Sequence, residues 1–302
     1  MTQIWRINLK SEGKDPREFC LKRSVLGVGW PVDHDGVTCD WDKYYEAGME
    51  KYYNNKDRGW LPAVNAIKNN MQINDLCWTR LENGIYYIGR ITGGWRYDGS
   101  DEHKAADVVN IRDCDWRKVG PVDKVPGKVV NSFIPSRTLQ RVEDDNVRLY
   151  SCFLYNSLGN DTSSFTYLLT PLADSGLFKL ISSDDCEDVV GLYLQEQGWR
   201  VIPSTCKMDT AAYEFVMKHS ASGATAVLQV KQGSASSLNE KNNCPDGVTV
   251  FWFATDGDYS TIKNKTIHLI DPHEIEKFVF KNPHLLPDRV TTWIEMIDKL
   301  RS

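Results

Sequence analysis

The stretch Ala226-Val227-Leu228-Gln229-Val230-Lys231-Gln232-Gly233 predicts a short apolar strand that ends with Gln229 and Lys231 on one face, two residues apart. Alternation sends Leu228 and Val230 the other way. A lysine closing a hydrophobic strand needs a partner, because lysine is seldom buried unpaired. Upstream, Ala211-Ala212-Tyr213-Glu214-Phe215-Val216-Met217 predicts a second strand, with one carboxylate among apolar residues. Earlier still, residues 186–194 predict a helix with Glu187 near its start, leading into Gly198-Trp199-Arg200-Val201-Ile202. A carboxylate, an amide oxygen and an ammonium on neighbouring strands admit two chemistries. They form an ordinary ion pair across the sheet, or they offer oxygen ligands to a hard cation, with the lysine orienting a nucleophile or stabilising developing charge. Asp209, in Lys207-Met208-Asp209-Thr210, competes with Glu214 for the acidic position.

The order helix Glu187, strand acid, then Gln-x-Lys resembles the core of the PD-(D/E)xK nucleases, specifically the Mrr-like restriction endonucleases with their Gln-x-Lys variant. The resemblance implies a restriction-endonuclease-like mixed α/β sheet and Mg²⁺-dependent cleavage of phosphodiester bonds. It implies Glu187, Glu214, Gln229 and Lys231 as the catalytic set, with Glu214 and Gln229 as metal ligands and Glu187 reaching the site through water. That family usually carries Asp in the acidic slot, which favours Asp209 by residue type. Spacing and strand placement favour Glu214.

These elements must be positioned by a chain whose two halves differ. Seven of the ten tryptophans (5, 30, 41, 60, 78, 95, 116) lie in the first 116 residues. Strand signals recur there at residues 4–9, 20–30, 76–80, 84–92 and 108–111, and helical spacing at 41–53 and 61–69. Gly27-Val28-Gly29-Trp30 and Gly93-Gly94-Trp95 both end in an indole just past a strand. Such indoles are either core, since Trp packs well at strand ends, or walls of a pocket that stacks on a base.

Gly84-Ile85-Tyr86-Tyr87-Ile88-Gly89-Arg90-Ile91-Thr92-Gly93-Gly94-Trp95, then Val125-Pro126-Gly127-Lys128-Val129-Val130-Asn131-Ser132-Phe133, is similar to the EVE-like branch of the PUA superfamily, with YTH domains and the readers of modification-dependent restriction enzymes among its relatives. The likeness covers residues 1–142. It implies a small β-barrel with helices that takes a flipped, modified base between aromatic walls. Trp30 and Trp95 match the walls. Asp75 before the central strand matches a base-edge reader, and Trp60 stands as a third wall.

Composition bounds the rest. A 41% hydrophobic and 25% charged chain is ordinary for a globular protein, and no apolar run reaches the roughly 20 residues of a membrane span. No signal-peptide pattern opens the sequence, and the eight scattered cysteines contain no Cys-x-x-Cys, so reduced thiols and a cytoplasmic setting are expected. The net charge of −5 argues against indiscriminate nucleic-acid binding. Locally, Arg117, Lys118, Lys124, Lys128, Arg137 and Arg141 stand against Asp123 alone; of these, Lys124, Lys128, Arg137 and Arg141 are the expected DNA-backbone contacts, or else a solvated basic face.

The expected architecture is therefore two domains of α+β and α/β class: an EVE-like domain at 1–143, a connecting segment at 144–180, and a nuclease-like domain at 181–302. The expected function is a modification-dependent endonuclease acting on double-stranded DNA that carries a modified base, in prokaryotic defence, with two protomers needed for double-strand cleavage by single sites. The alternatives are a non-catalytic reader with a nuclease-like scaffold, and an enzyme directed at modified RNA.

Overall fold

In chain order the first unit, Met1–Leu169, holds β1 (Ile4–Ile7), α1 (Pro16–Arg23), β2 (Val25–Val28), α2 (Trp41–Gly48), α3 (Trp60–Asn65), β3 (Leu76–Arg80), β4 (Tyr86–Ile91), β5 (Arg96–Tyr97), α4 (Asp101–Ala106), β6 (Asn110–Gly120), α5 (Gly127–Asn131), β7 (Leu139–Arg141) and α6 (Asp145–Ser157). The computed structural model describes residues 1–9, 14–135, 137–159, 165–169, 176–207, 213–233, 247–260, 262–264 and 266–300.

The strands form one curled, half-barrel sheet of seven, in the order β2-β6-β4-β3-β1-β7, with β5 also paired to β6. The curl follows from β6. Its first residues, Asn110 to Asp113, pair with β2, and from Cys114 onward it pairs with β4. Inside the curl, Ile7, Leu26, Val28, Tyr44, Trp60, Ile67, Cys77, Ile91 and Ile111 make a closed core.

Two sequence expectations change here. Residues 20–30 are not one strand, because Asp15 caps a helix by accepting from the Arg17 and Glu18 amides, with Pro16 at its first position, and left-handed Ser24 ends it. Cap chemistry outweighs the apolar run. Part of the expected connecting segment is α6, capped by Asp144. Ser151 of α6 accepts from the Trp78 indole at 3.1 Å, and the Tyr150 hydroxyl donates to the Lys124 carbonyl at 3.0 Å. Farther on, the Tyr167 hydroxyl reaches the Asn74 carbonyl at 3.0 Å, and the Arg90 guanidinium lies 4.1 Å from the centre of the Phe165 ring.

The second unit, Thr170–Ser302, holds α7 (Ser183–Glu196), β8 (Trp199–Val201), β9 (Phe215–His219), β10 (Thr225–Lys231), β11 (Thr249–Ala254), β12 (Ile267–Ile270), α8 (Pro272–Lys281) and α9 (Asp288–Leu300). Its sheet runs β12-β11-β10-β9-β8. The pairs β8–β9 and β9–β10 are antiparallel, and β10–β11 and β11–β12 are parallel. The mixed sheet flanked by helices agrees with the expected α/β class.

The seven cysteines among the described residues are free thiols, with Cys20, Cys77, Cys114, Cys152 and Cys186 buried and Cys206 exposed. Among the described residues no helix is long and apolar enough to cross a membrane.

Candidate functional site

The expected catalytic residues of the second unit gather around the central strand. Phe215 pairs with Leu228, and Glu214, one residue earlier, lies just beyond the paired residues of β9. The Glu214 amide donates to the carbonyl of that same Leu228 at 2.8 Å, which holds Glu214 at the end of the β9–β10 pairing. Its side-chain Oε1 stands 3.5 Å from the Val230 amide. Gln229 is buried and pairs in register with Trp252; Lys231, two residues on, pairs with Ala254.

Glu187 arrives from α7. Gly191, one turn further along, lies so close to Phe215 that a Cβ there would stand 2.9 Å from the ring. A Cβ there would push the tip of that ring aside, so glycine lets the helix settle close on the sheet, with Glu187 on the same helical face. The start of α7 is fixed twice. A capping box joins Ser182 and Asp185, and Gln232, just past β10, donates to the Ile181 carbonyl at 3.0 Å. From α9, Arg289 forks between Asp185 and Asp188, which flank Glu187 in sequence.

The result is an electrostatic cluster. Burial, then the charges of Glu214, Asp184 and Asp188, push the Glu187 carboxyl from 4.5 up to about 7, against the pull of Lys231. Burial also raises Glu214, opposed by the Val230 amide and by Lys231. Glu187, Glu214 and Lys231 thus lie within one another's fields, beside Gln229. Asp209, the rival to Glu214, lies outside the described residues.

In the first unit, Trp30 lines a recess of about 330 Å³ together with Leu9, Val28, Tyr52, Asp107 and Thr138. Its backbone is left-handed, φ 67°, a conformation that costs a non-glycine residue about 1–3 kcal/mol. Surrounding bonds impose it. The Tyr44 hydroxyl donates to the Trp30 carbonyl at 3.2 Å, and Tyr52 donates to the carbonyl of Pro31. The Trp30 indole donates to Asp57 at 2.9 Å, and the other oxygen of that carboxylate accepts the Gly59 and Trp60 amides at the start of α3. Gly29 is required beside it: a Cβ there would lie 2.3 Å from the Asp107 carboxylate.

Trp95 is linked to Trp30 at one remove. Its indole donates to Asn110 at 3.3 Å, while the Asn110 amide donates to the Gly29 carbonyl at 2.7 Å and to the Tyr44 hydroxyl at 2.8 Å. The Trp95 ring meets Trp41 edge-on at 5.2 Å, and Lys68 sits over both indoles. So Trp30 faces the recess, and Trp95 belongs to a neighbouring platform with Trp41 and Lys68. Tyr44, Tyr52, Asp57 and Asn110, which hold these indoles, were not singled out by the sequence. The helical spacing of Tyr44, Tyr45 and Tyr52 was their one signal, and it also fits plain core.

Two expected base-binding residues stand elsewhere. Trp60 is 0% exposed and donates to the Tyr44 hydroxyl at 3.1 Å, so it is core and not a wall. Asp75 is 2% exposed, and its oxygens accept the Gln3 amide, the Trp5 indole and the Gln72 amide, each at 2.9 Å. It ties β1 to the turn before β3 and has no free edge to read a base. Of the expected backbone contacts, Lys128 pairs with Asp144 at 3.0 Å and Arg141 with Glu143. Arg137 is exposed, and Lys124 is half-buried.

The molecule is thus a two-unit α/β protein with a carboxylate–lysine cluster in one unit and an indole-lined recess in the other. Residues 5–139 match a family described as a domain of unknown function, DUF8426. The match runs from Trp5 in β1 to Leu139 in β7, so it takes in the recess and leaves α6 and the carboxylate–lysine cluster outside. No curated protein and no solved structure matches the chain.

Proposed function

We propose that the chain is a modification-dependent DNA endonuclease of prokaryotic defence, acting in the cytoplasm. The EVE-like first unit takes a flipped modified base into the Trp30 recess, and the PD-(D/E)xK-like second unit cleaves phosphodiester bonds nearby. The observation that carries this reading is the Glu214 carboxylate standing 3.5 Å from the Val230 amide, between Gln229 and Lys231 on the central strand, with the Glu187 carboxyl under the charges of Glu214 and Lys231. The antiparallel run β8-β9-β10 followed by parallel β11 supports the nuclease resemblance.

The donor set fits Mg²⁺. Two carboxylates whose ionised forms are disfavoured by burial would be stabilised by a hard cation, which needs only one or two protein carboxylates. Glu214 and the Gln229 amide oxygen would hold it, with Glu187 reaching it through water. When bound, the ion polarises the phosphate and lowers the pKa of the attacking water. The Lys231 ammonium orients that water or stabilises charge developing on the phosphate. Double-strand cleavage takes two protomers, each supplying one such site.

The recess supports the other half of the reading. Its volume falls in the roughly 300–1,000 Å³ range of small-ligand sites, and an indole wall stacks on a base with little regard to sequence. Extruding the base costs a few kcal/mol, which stacking offsets.

A non-catalytic reader is the second reading. It is favoured by Gln229, a neutral amide on β10 where a second carboxylate would hold a cation more strongly. Incubating the protein with Mg²⁺ and plasmid, modified or unmodified, separates the two. Cuts confined to modified plasmid support the endonuclease; binding without cuts supports the reader.

A further inference from the structure

Away from both sites, two arginines of the first unit lie over one phenylalanine, and a third, Arg137, is tied to one of them. Arg6 of β1 pairs in register with Trp78 of β3 and Gln140 of β7. Arg80 lies two residues beyond Trp78, on the same face. The Arg6 guanidinium is 5.4 Å and that of Arg80 4.9 Å from the Phe133 ring centre.

Arg6 is 0% exposed. It donates to the Arg137 carbonyl and, at 2.9 Å, to Gln140 Oε1, while its Nε has no acceptor. Arg80 is half-buried, with a long 3.4 Å contact to the Tyr86 hydroxyl, and Arg137 is exposed. Among the described residues none of the three has an ion-pair partner. Burial, and then the charges of Arg80 and Arg137, pull the Arg6 guanidinium down from its ordinary value, with the buried Cys77 opposing.

Three cations gathered without a carboxylate are unfavourable in the free protein, since buried charge is retained at a cost unless something pairs with it. Among the described residues no carboxylate pairs with any of the three. The planar guanidinium suits a phosphate, which it can grip with two parallel hydrogen bonds. Arg137 precedes Thr138, which lines the Trp30 recess. The Cα atoms of Arg137 and of this recess residue are thus about 3.8 Å apart.

We propose that Arg80 and Arg137 grip a backbone phosphate of bound nucleic acid. Arg6 is a positioning residue beneath them: it holds the Arg137 backbone and adds fixed positive charge without touching the ligand. The inference rests on the reading of the first unit as a nucleic-acid reader. It differs from the sequence expectation in its residues, because Arg80 joins Arg137, whereas the charges of Lys128 and Arg141 are already offset by Asp144 and Glu143.

The test is binding of the full chain to a short unmodified DNA duplex across a range of salt. Arg137→Gln should flatten the slope of log affinity against log salt, and the Arg80→Gln, Arg137→Gln pair should flatten it by about 0.9, the loss of one phosphate contact. Lysine at both positions should restore the slope. An unchanged slope in Arg137→Gln protein that melts with the wild type overturns the proposal; Arg137 is exposed, so that variant should fold. An RNA duplex of the same sequence runs in parallel. Flattening on DNA supports the grip as stated, and flattening confined to RNA overturns the DNA assignment. Because the duplex is unmodified, failure of the base-reader reading shows separately, as a wild-type protein that binds modified and unmodified DNA alike.

Discussion

At the scale of single residues, Lys231 is the sharpest test of the second unit. Lys231→Ala should abolish cleavage of modified plasmid and leave its binding unchanged; full cleavage by that variant removes the catalytic assignment. Glu187 makes a prediction about stability. Its folded carboxyl holds a proton more tightly than an unfolded one, so the folded state binds more protons between about pH 4.5 and about pH 7. Stability then falls as pH rises through that window and stays lower above it. In chelated, metal-free protein, Glu187→Gln should therefore melt above the wild type over pH 7, with the gain fading below pH 4.5. Equal melting curves across that range would show that Glu187 carries no burial penalty. Such a penalty is what a functional site is expected to hold. That Gln229 and Lys231 share one face of a strand was legible in the sequence, because period-two alternation fixes which residues share a face. The recess was half legible. Trp30 stood out beside its glycines, but the tyrosines and Asp57 that force it into a left-handed backbone come from distant elements, and no local pattern encodes them.

At the scale of elements, α7 matters most. Arg289 of α9 joins Asp185 and Asp188 on either side of Glu187, and Asp185 also closes the capping box. Arg289→Ala leaves a buried carboxylate without its cation and should cost about 3 kcal/mol in chemical denaturation, the lower end for breaking a buried pair. Pairing it with Asp185→Asn should recover part of that loss. Additive losses in the double variant would mean that the two residues act separately. The strands of the second unit were readable from apolar runs, since buried parallel strands are apolar almost throughout. Residues 20–30 misled for the opposite reason: the Asp15 cap and Pro16 lie outside the apolar run, and they decide the helix. α6 was hidden because its neighbours in sequence, Glu143 to Asp145, look like a polar break, whereas Asp144 is a helix cap.

At the scale of the whole molecule, reading and cutting should fail together when the recess fails. Trp30→Ala should weaken binding of modified DNA by roughly 1–3 kcal/mol, the usual worth of stacking, and cleavage of modified plasmid should drop in parallel. Unmodified duplex, held through phosphates, should be little affected. Trp30 is only half-buried, so the melting point should fall far less than for a core tryptophan, where truncation costs about 3–5 kcal/mol. A deep melting loss with unchanged discrimination would return Trp30 to the core.

The thiols give the molecule a built-in clock. Burial pushes the thiols of Cys20, Cys152 and Cys186 up to about 12, and those of Cys77 and Cys114 well above their ordinary value. Each is protected twice, by inaccessibility and by the scarcity of thiolate. An alkylating reagent should therefore mark Cys206 at once and reach the buried thiols only during openings of the surrounding core. Cys186 would time the opening of the second unit, and Cys20, Cys77 and Cys114 that of the first. Followed by mass, the two labelling rates measure how far one half can come apart while the other stays closed.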